Sequence, residues 1–283
     1  MIPLAAALWL EEQGYGEVTV SSYAGSGCIS SGSRLQTSTG QTFFLKTNPQ
    51  APRDLFVREA QGLDALRVPG GPRLPRPFQV GQDFLLMEDL SPAPRRPDYW
   101  TVFGQRLAVL HKTTSPQFGF PDDNHIGSTP QPNPWTQDGF EFFAEHRLRF
   151  QARLAHRQGL LCKADLERVD AVADRLPRLI PIQPAALIHG DLWSGNAITD
   201  ELGQPALIDP AAHYGWAEAE LAMTTLFGSF PDAFYRAYQE VNPLAPDFRE
   251  RYSLYNLYHL LNHLNLFGTG YLGAVTDILG RYG

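Results

Sequence analysis

Apolar and polar positions over residues 1–14 follow a helical spacing, so the chain is predicted to open with a short amphipathic helix. The period then drops to two. Residues 18–23, 33–38 and 41–46 alternate between Gly/Ser-rich turns and are predicted as strands. Residues 53–67 return to a helical pattern, with Leu55, Leu63 and Leu66 directed at a core, and the apolar run 84–87 fits a buried strand. A Pro-rich segment at 91–97 interrupts regular structure. From residue 99 onward long helical patterns dominate, at 99–114, 135–158, 163–178 and 248–267. The Pro-, Asp-, Asn- and Gly-rich stretch 115–134 reads either as an ordered loop over the helical part or as a mobile flap. There is no repeat of fixed period and no low-complexity tract. The expected class is α+β and bilobal, with a small β-rich lobe over residues 1–90 and a larger, mostly helical lobe over 91–283.

Composition narrows the function. A chain of 283 residues can form one large domain or two modest lobes, and 43% hydrophobic with 12% aromatic residues predicts folding throughout. With 23 basic and 30 acidic residues the formal net charge is −7, which argues against a nucleic-acid partner. No apolar run approaches the ~20 residues of a membrane span. The start carries Glu11 and Glu12 rather than the cationic region of a secretory signal, so a cytoplasmic protein is expected. Two cysteines, Cys28 and Cys162, are too few for a disulfide framework and lack zinc-ligand spacing.

The most specific chemistry lies in Leu187-Ile-His-Gly-Asp-Leu-Trp-Ser-Gly-Asn196 and the following Ala206-Leu-Ile-Asp-Pro-Ala211. In each an apolar strand delivers a polar group. Phosphoryl transfer from ATP needs an acid beside the attacking hydroxyl and oxygen ligands for Mg2+. Asp191, Asn196 and Asp209 supply those types in protein-kinase order: Asn196 is five residues after Asp191, and Asp209 eighteen after it. Asp191 is the expected base, Asn196 and Asp209 the expected metal ligands, and His189 a scaffold residue that orients the loop. Upstream, Lys46 ends a strand pattern and Glu59 lies 13 residues on in the next helix, the spacing of a phosphate-holding lysine and its ion-pair partner. Gly25, Gly27 and Gly32 frame a small-residue loop that fits either a phosphate-cradling backbone or a plain hairpin turn. Met87, Glu88 and Leu90 sit at the lobe junction, where adenine would be read by main-chain groups.

These residues resemble the fructosamine kinase (ketosamine 3-kinase) family, a branch of the protein-kinase-like superfamily. The likeness is carried by His-Gly-Asp-Leu-Trp-Ser-Gly-Asn (189–196), Asp209-Pro-Ala, Tyr214 to Met223, Leu226-Phe-Gly, the loop at 25–32 and Leu261-Asn-His-Leu-Asn-Leu-Phe-Gly268, and runs from about residue 4 to about 274. Trp193 and the late Asn-His segment set the pattern apart from aminoglycoside and choline kinases. The resemblance implies an ATP- and Mg2+-dependent kinase that phosphorylates the sugar 3-hydroxyl of ketosamines, free or protein-bound. The 3-phosphate then decomposes and frees the amine, a deglycation repair. It also implies Trp193 as an aromatic platform for the sugar, His263 as a sugar-side residue, and for Cys28 either a redox switch linking a homodimer, in place of a monomer, or a plain packing role. His259, Asn262 and His263 share one face of an apolar helix, which suits substrate contact or a buried polar network. Two rivals remain: a kinase for another small alcohol on the same scaffold, and a pseudokinase that binds nucleotide without turnover.

Overall fold

The computed structural model describes residues 2–26 and 30–283. Its first part is built on a five-stranded antiparallel sheet with α1 (Leu4–Glu12) on one face and α2 (Leu55–Ala65) on the other. The strands are β1 (Val18–Ser26), β2 (Ser31–Thr37), β3 (Thr42–Thr47), β4 (Pro77–Val80) and β5 (Phe84–Glu88), in the order β1-β2-β3-β5-β4. Alternation in β3 decides what faces what. Phe43 and Leu45 enter a small core with Ala6, Leu10, Leu35, Phe84 and Leu86, while Phe44 and Lys46 turn to the opposite side and line the cleft. From β5, Leu85 and Met87 point the other way and join Phe56, Leu63 and Leu66 of α2 in the main core, which continues into the helical part.

The helical part comprises α3 (Tyr99–His111), α4 (Gly139–Phe143), α5 (Phe150–Arg157), α6 (Lys163–Leu179), α7 (Ala217–Met223), α8 (Asp232–Val241), α9 (Tyr252–Phe267) and α10 (Leu272–Tyr282). Short strands carry the polar loops between them: β6 (Thr114–Ser115), β7 (Asn124–Ile126), β8 (Thr129–Gln131), β9 (Ala185–Ile188), β10 (Ala197–Thr199), β11 (Pro205–Leu207) and β12 (His213–Gly215). Helix α9 is buried on most sides, and α3 packs along α8 through Phe103 and Phe234, with Phe230 just ahead of α8 against both rings.

The predicted helix at 135–158 starts four residues late, because Asp138 caps it by accepting from Phe140 N at 2.8 Å and Glu141 N at 3.3 Å. A π-helical stretch, Ala144–Arg149, separates α4 from α5 and brings Arg147 into the interior. The stretch 115–134 is ordered around the β7–β8 hairpin, with Asn124, Gln131 and Asn133 buried. Strand β4 and helices α7, α8 and α10 were not anticipated from the sequence pattern. Among the described residues, no helix is long and apolar enough to cross a membrane.

Candidate active site

Strand β9 is apolar and buried along its whole length, and it ends at His189-Gly190-Asp191. Gly190 has φ +83°, and a Cβ there would collide with the Ala211 carbonyl oxygen, so the turn requires glycine. Glu220 of α7 holds this turn from behind. Its carboxylate accepts from His189 N at 2.8 Å, Gly190 N at 2.7 Å and His111 Nε2 at 2.9 Å. Burial penalises the Glu220 carboxylate, yet the His111 hydrogen bond and the neighbouring imidazoles outweigh it and keep the group below the usual glutamate range. His189 is fully buried and its Nε2 donates to the Ile208 carbonyl at 2.8 Å, tying the Asp191 loop to the Asp209 strand. The scaffold position expected for this histidine matches that geometry.

Asp191 sits at the cleft floor. Asn196 Nδ2 donates to its carbonyl at 2.8 Å and to its Oδ2 at 3.1 Å. Burial, assisted by the charge of Asp209 and opposed by the Asn196 hydrogen bond, pushes the Asp191 carboxyl up to about 7. Hairpin β10–β11 then returns the chain to Asp209, which adopts φ +59°, a left-handed conformation that a non-glycine residue holds only when its surroundings enforce it.

Lys46 joins the two halves. Its Nζ lies 2.8 Å and 2.9 Å from the Glu59 carboxylate oxygens and 2.9 Å from Asp209 Oδ1. Burial works against the ammonium, but the Asp209 and Glu59 carboxylates overcome it and hold the lysine above its ordinary pKa. Gly62 lets α2 lie close over this region, since a Cβ there would come within 3.2 Å of the Pro210 ring.

These side chains face one cleft of about 440 Å3. Gly32, Lys46, Glu59, Asp191, Trp193, Asn196, Asp209 and His263 all line it. Trp193 meets Phe227 edge-on at 5.9 Å, and Phe227 in turn packs on His263 at 4.6 Å. His263 Nδ1 donates to the His259 carbonyl at 2.8 Å, which makes Nε2 the acceptor in the neutral ring, and burial lowers the ring's pKa. The three polar residues of α9 divide: Asn262 and His263 reach the cleft, whereas His259 lies in the interior behind it. Gly25 pairs with Gly32 across the β1–β2 ladder, while Gly27 and Cys28 lie outside the described residues. Met87 and Leu90 are buried and Glu88 turns to Arg73 and to Arg76 N, so none of their side chains lines the cleft. Arg58, Asn124 and His125 also line it. Sequence reasoning missed them, because isolated polar residues on a helix and in a loop carry no pattern that separates them from a solvated surface.

The donor set suits a hard cation. Asn196 turns its amide nitrogen to Asp191, so Oδ1 is not spent on that contact, and Asp209 contributes a carboxylate to the same cleft. Among the described residues no three His, Cys, Asp or Glu converge as a metal cage. Magnesium requires none, since one or two protein oxygens complete a shell made mostly of phosphate and water.

The sequence model of the fructosamine kinase family matches residues 1–282. The chain belongs to the fructosamine kinase family. It is 44% identical over 260 residues to a probable ketoamine kinase of Synechocystis, covering 89% of this chain and 86% of that protein. It is 39% identical over 292 residues to a chloroplastic protein-ribulosamine 3-kinase of Oryza sativa subsp. indica, covering 97% and 82%. The crystal structure of a candidate fructosamine-3-kinase from Thermobifida fusca superposes with a TM-score of 0.90 at 35% identity, covering 100% of this chain and 99% of that one. More distantly, an aminoglycoside phosphotransferase in ternary complex with ADP and hygromycin B shares the fold, with a TM-score of 0.62 at 18% identity over 99% of both chains. The fold of this fructosamine kinase family member is thus the bilobal, protein-kinase-like one.

Proposed function

We propose that this chain transfers the γ-phosphoryl group of ATP to the 3-hydroxyl of a ketosamine. The observation that carries the reading is the meeting of Lys46, Glu59, Asp191, Asn196 and Asp209 in one cleft whose further wall holds Trp193 and His263, in a member of this family. Relatives named ketoamine kinase and protein-ribulosamine 3-kinase support the substrate class.

In this reading Lys46, oriented by Glu59, holds the α- and β-phosphates. Asn196 Nδ2 occupies Asp191 Oδ2, so Oδ1 is the oxygen that takes the proton from the attacking hydroxyl. Asn196 Oδ1 and Asp209 would hold magnesium, which when bound neutralises charge on the transferring phosphates. Gly25 and Gly32, paired across β1 and β2, allow backbone approach to the phosphates, Gly27 lying outside the described residues, and main-chain groups at Met87 to Leu90 read adenine. Trp193 stacks on the sugar and the neutral His263 Nε2 accepts from a sugar hydroxyl. The 3-phosphate product decomposes to release the amine, a deglycation that belongs in the ATP-supplied cytoplasm. Cys28 carries no part of this reading.

ADP release with magnesium and ATP over ribulose-lysine, fructose-lysine, choline and kanamycin tests it. Turnover confined to the two ketosamines is expected. Turnover with choline or kanamycin alone would keep the chemistry and overturn the substrate class.

A further inference from the structure

The β7–β8 hairpin and its flanks, residues 122–133, touch both halves of the cleft. Toward α2, Asp122 Oδ2 lies 2.6 Å from Arg58 Nη1, and His125 Nε2 lies 3.0 Å from Asp54 Oδ1. Asp54 stands at the N-cap of α2, where an aspartate ordinarily accepts from its own helix's amides. Its side chain makes no such bond and faces His125 and Arg58 instead, the latter at 3.3 Å.

Toward the Asp209 segment, Asn124 Nδ2 donates to the Ala212 carbonyl at 2.8 Å. Gln131 Nε2 donates to the Ala211 carbonyl at 3.1 Å and to Asn124 Oδ1 at 2.7 Å. Asn133 Nδ2 adds a bond to Asn124 Oδ1 at 2.9 Å, and Tyr258 OH donates to Gln131 Oε1 at 2.6 Å. An element that merely filled space would be served by apolar side chains. Here three buried amides are directed at one another and at two main-chain carbonyls of the segment that carries Asp209.

Arg58 immediately precedes Glu59, and Ala211 is two residues beyond Asp209. Glu59 and Asp209 are the two carboxylates that Lys46 grips. We propose that hairpin 122–133 is a brace that sets the register of Glu59 against Asp209, with Asp122, Asn124, His125 and Gln131 as positioning residues for phosphoryl transfer. The apolar packing of Gly62 on Pro210 holds α2 near the segment but is non-directional, whereas hydrogen bonds through the hairpin fix its register. The same bonds help hold Asp209 in its left-handed conformation. The inference rests on the reading of Lys46, Glu59 and Asp209 as the ATP-handling groups.

Two cuts test the brace. Asp122→Ala weakens the α2 end at a half-exposed position, leaving the His125–Asp54 contact, and Asn124→Asp replaces the donor to Ala212 by a carboxylate oxygen that repels that carbonyl, while keeping an oxygen for Gln131 and Asn133. Each should lower kcat about tenfold, within the range that small misplacements cause, with the ketosamine KM within about twofold. Asp122→Glu should restore most of the loss. The double variant should lose clearly less than the product of the two single losses, because each change slackens the same brace. Hydrogen exchange, which needs no substrate, should rise at residues 209–213 in Asp122→Ala and at 55–65 in Asn124→Asp. Unchanged kcat, losses that multiply in the double variant, or exchange changes confined to the mutated end would overturn the brace. Coupled exchange without ketosamine turnover would instead overturn the proposed substrate and leave the brace standing.

Discussion

Lys46 and Asp209 are 163 residues apart in sequence, yet Nζ and Oδ1 meet at 2.9 Å. Glu59 holds the same ammonium from the other side at 2.8 Å. The arrangement satisfies a buried cation with two carboxylates, and it also means that removing the lysine leaves two acids facing each other. Lys46→Met should therefore lower kcat/KM for ATP by on the order of 10²-fold, the scale of losing one positioned charge donor. Steady-state kinetics with varied ATP would measure it, and a change under about threefold would remove Lys46 from the phosphate-holding role.

Asp191→Asn keeps the Asn196 contact to the main chain but cannot take a proton. Turnover should fall by on the order of 10² to 10⁴, the usual contribution of a general base, while nucleotide affinity stays near that of the parent. Isothermal titration beside rate measurement separates the two. Near-normal turnover would assign the base role elsewhere.

The Asp191 carboxyl is pushed up to about 7, chiefly by burial. A base acts only when deprotonated, so kcat/KM for the ketosamine should rise with pH and level off above that region, falling about tenfold per unit below it. A pH–rate profile flat from about 5.5 to 8 would contradict this assignment.

Stability should have its own acid limb. Burial holds the His259 imidazole down at about 3 and His213 well below the ordinary 6.5. Below about 6.5 the unfolded chain binds protons that these folded rings refuse, so the stability they contribute is full above about 6.5 and declines as pH falls, for His259 down to about 3. His259 contributes a slope of about 1.4 kcal/mol per pH unit between about 6.5 and about 3. Chemical denaturation at stepped pH measures it. Because the raised Asp191 carboxyl contributes an opposing slope below about 7, the test compares the parent with His259→Asn: an acid limb no shallower in the variant would show that this ring is not held neutral.

Glu220→Gln isolates the support behind the Asp191 loop. Three donors converge on the Glu220 carboxylate, and a glutamine would present an NH2 group to at least one of them. A loss on the order of 3 kcal/mol in unfolding free energy is expected, the scale of leaving buried hydrogen-bonding groups unpaired. A loss below about 1 kcal/mol would mean that the loop stands without it.

Much of this was legible in the chain, for reasons that can be named. The period-2 alternation of β3 and the 3.6-residue pattern of α2 place Lys46 and Glu59 on facing elements, and the two apolar strands ending at Asp191 and near Asp209 announce their loops. Helix α7 was missed because it is buried almost all round, Glu218 and Glu220 included, and so shows no polar face to give a period. Helix α8 did carry a signal, with Pro231 before Asp232 and Phe234, Tyr235 and Tyr238 buried on one side. The hairpin at 122–133 was read as loop because its determinants are buried amides, which in sequence look like turn residues. Only folding brings Asn124 and Gln131 to the carbonyls of Ala211 and Ala212.

The most direct test of the account is phosphorus NMR of the product formed from ribulose-lysine, ATP and magnesium. The account predicts a single new ester resonance coupled to the proton on sugar carbon 3, appearing with free lysine as the product decomposes. A resonance assigned to a different hydroxyl, or ATP hydrolysis with no sugar phosphate at all, would contradict it.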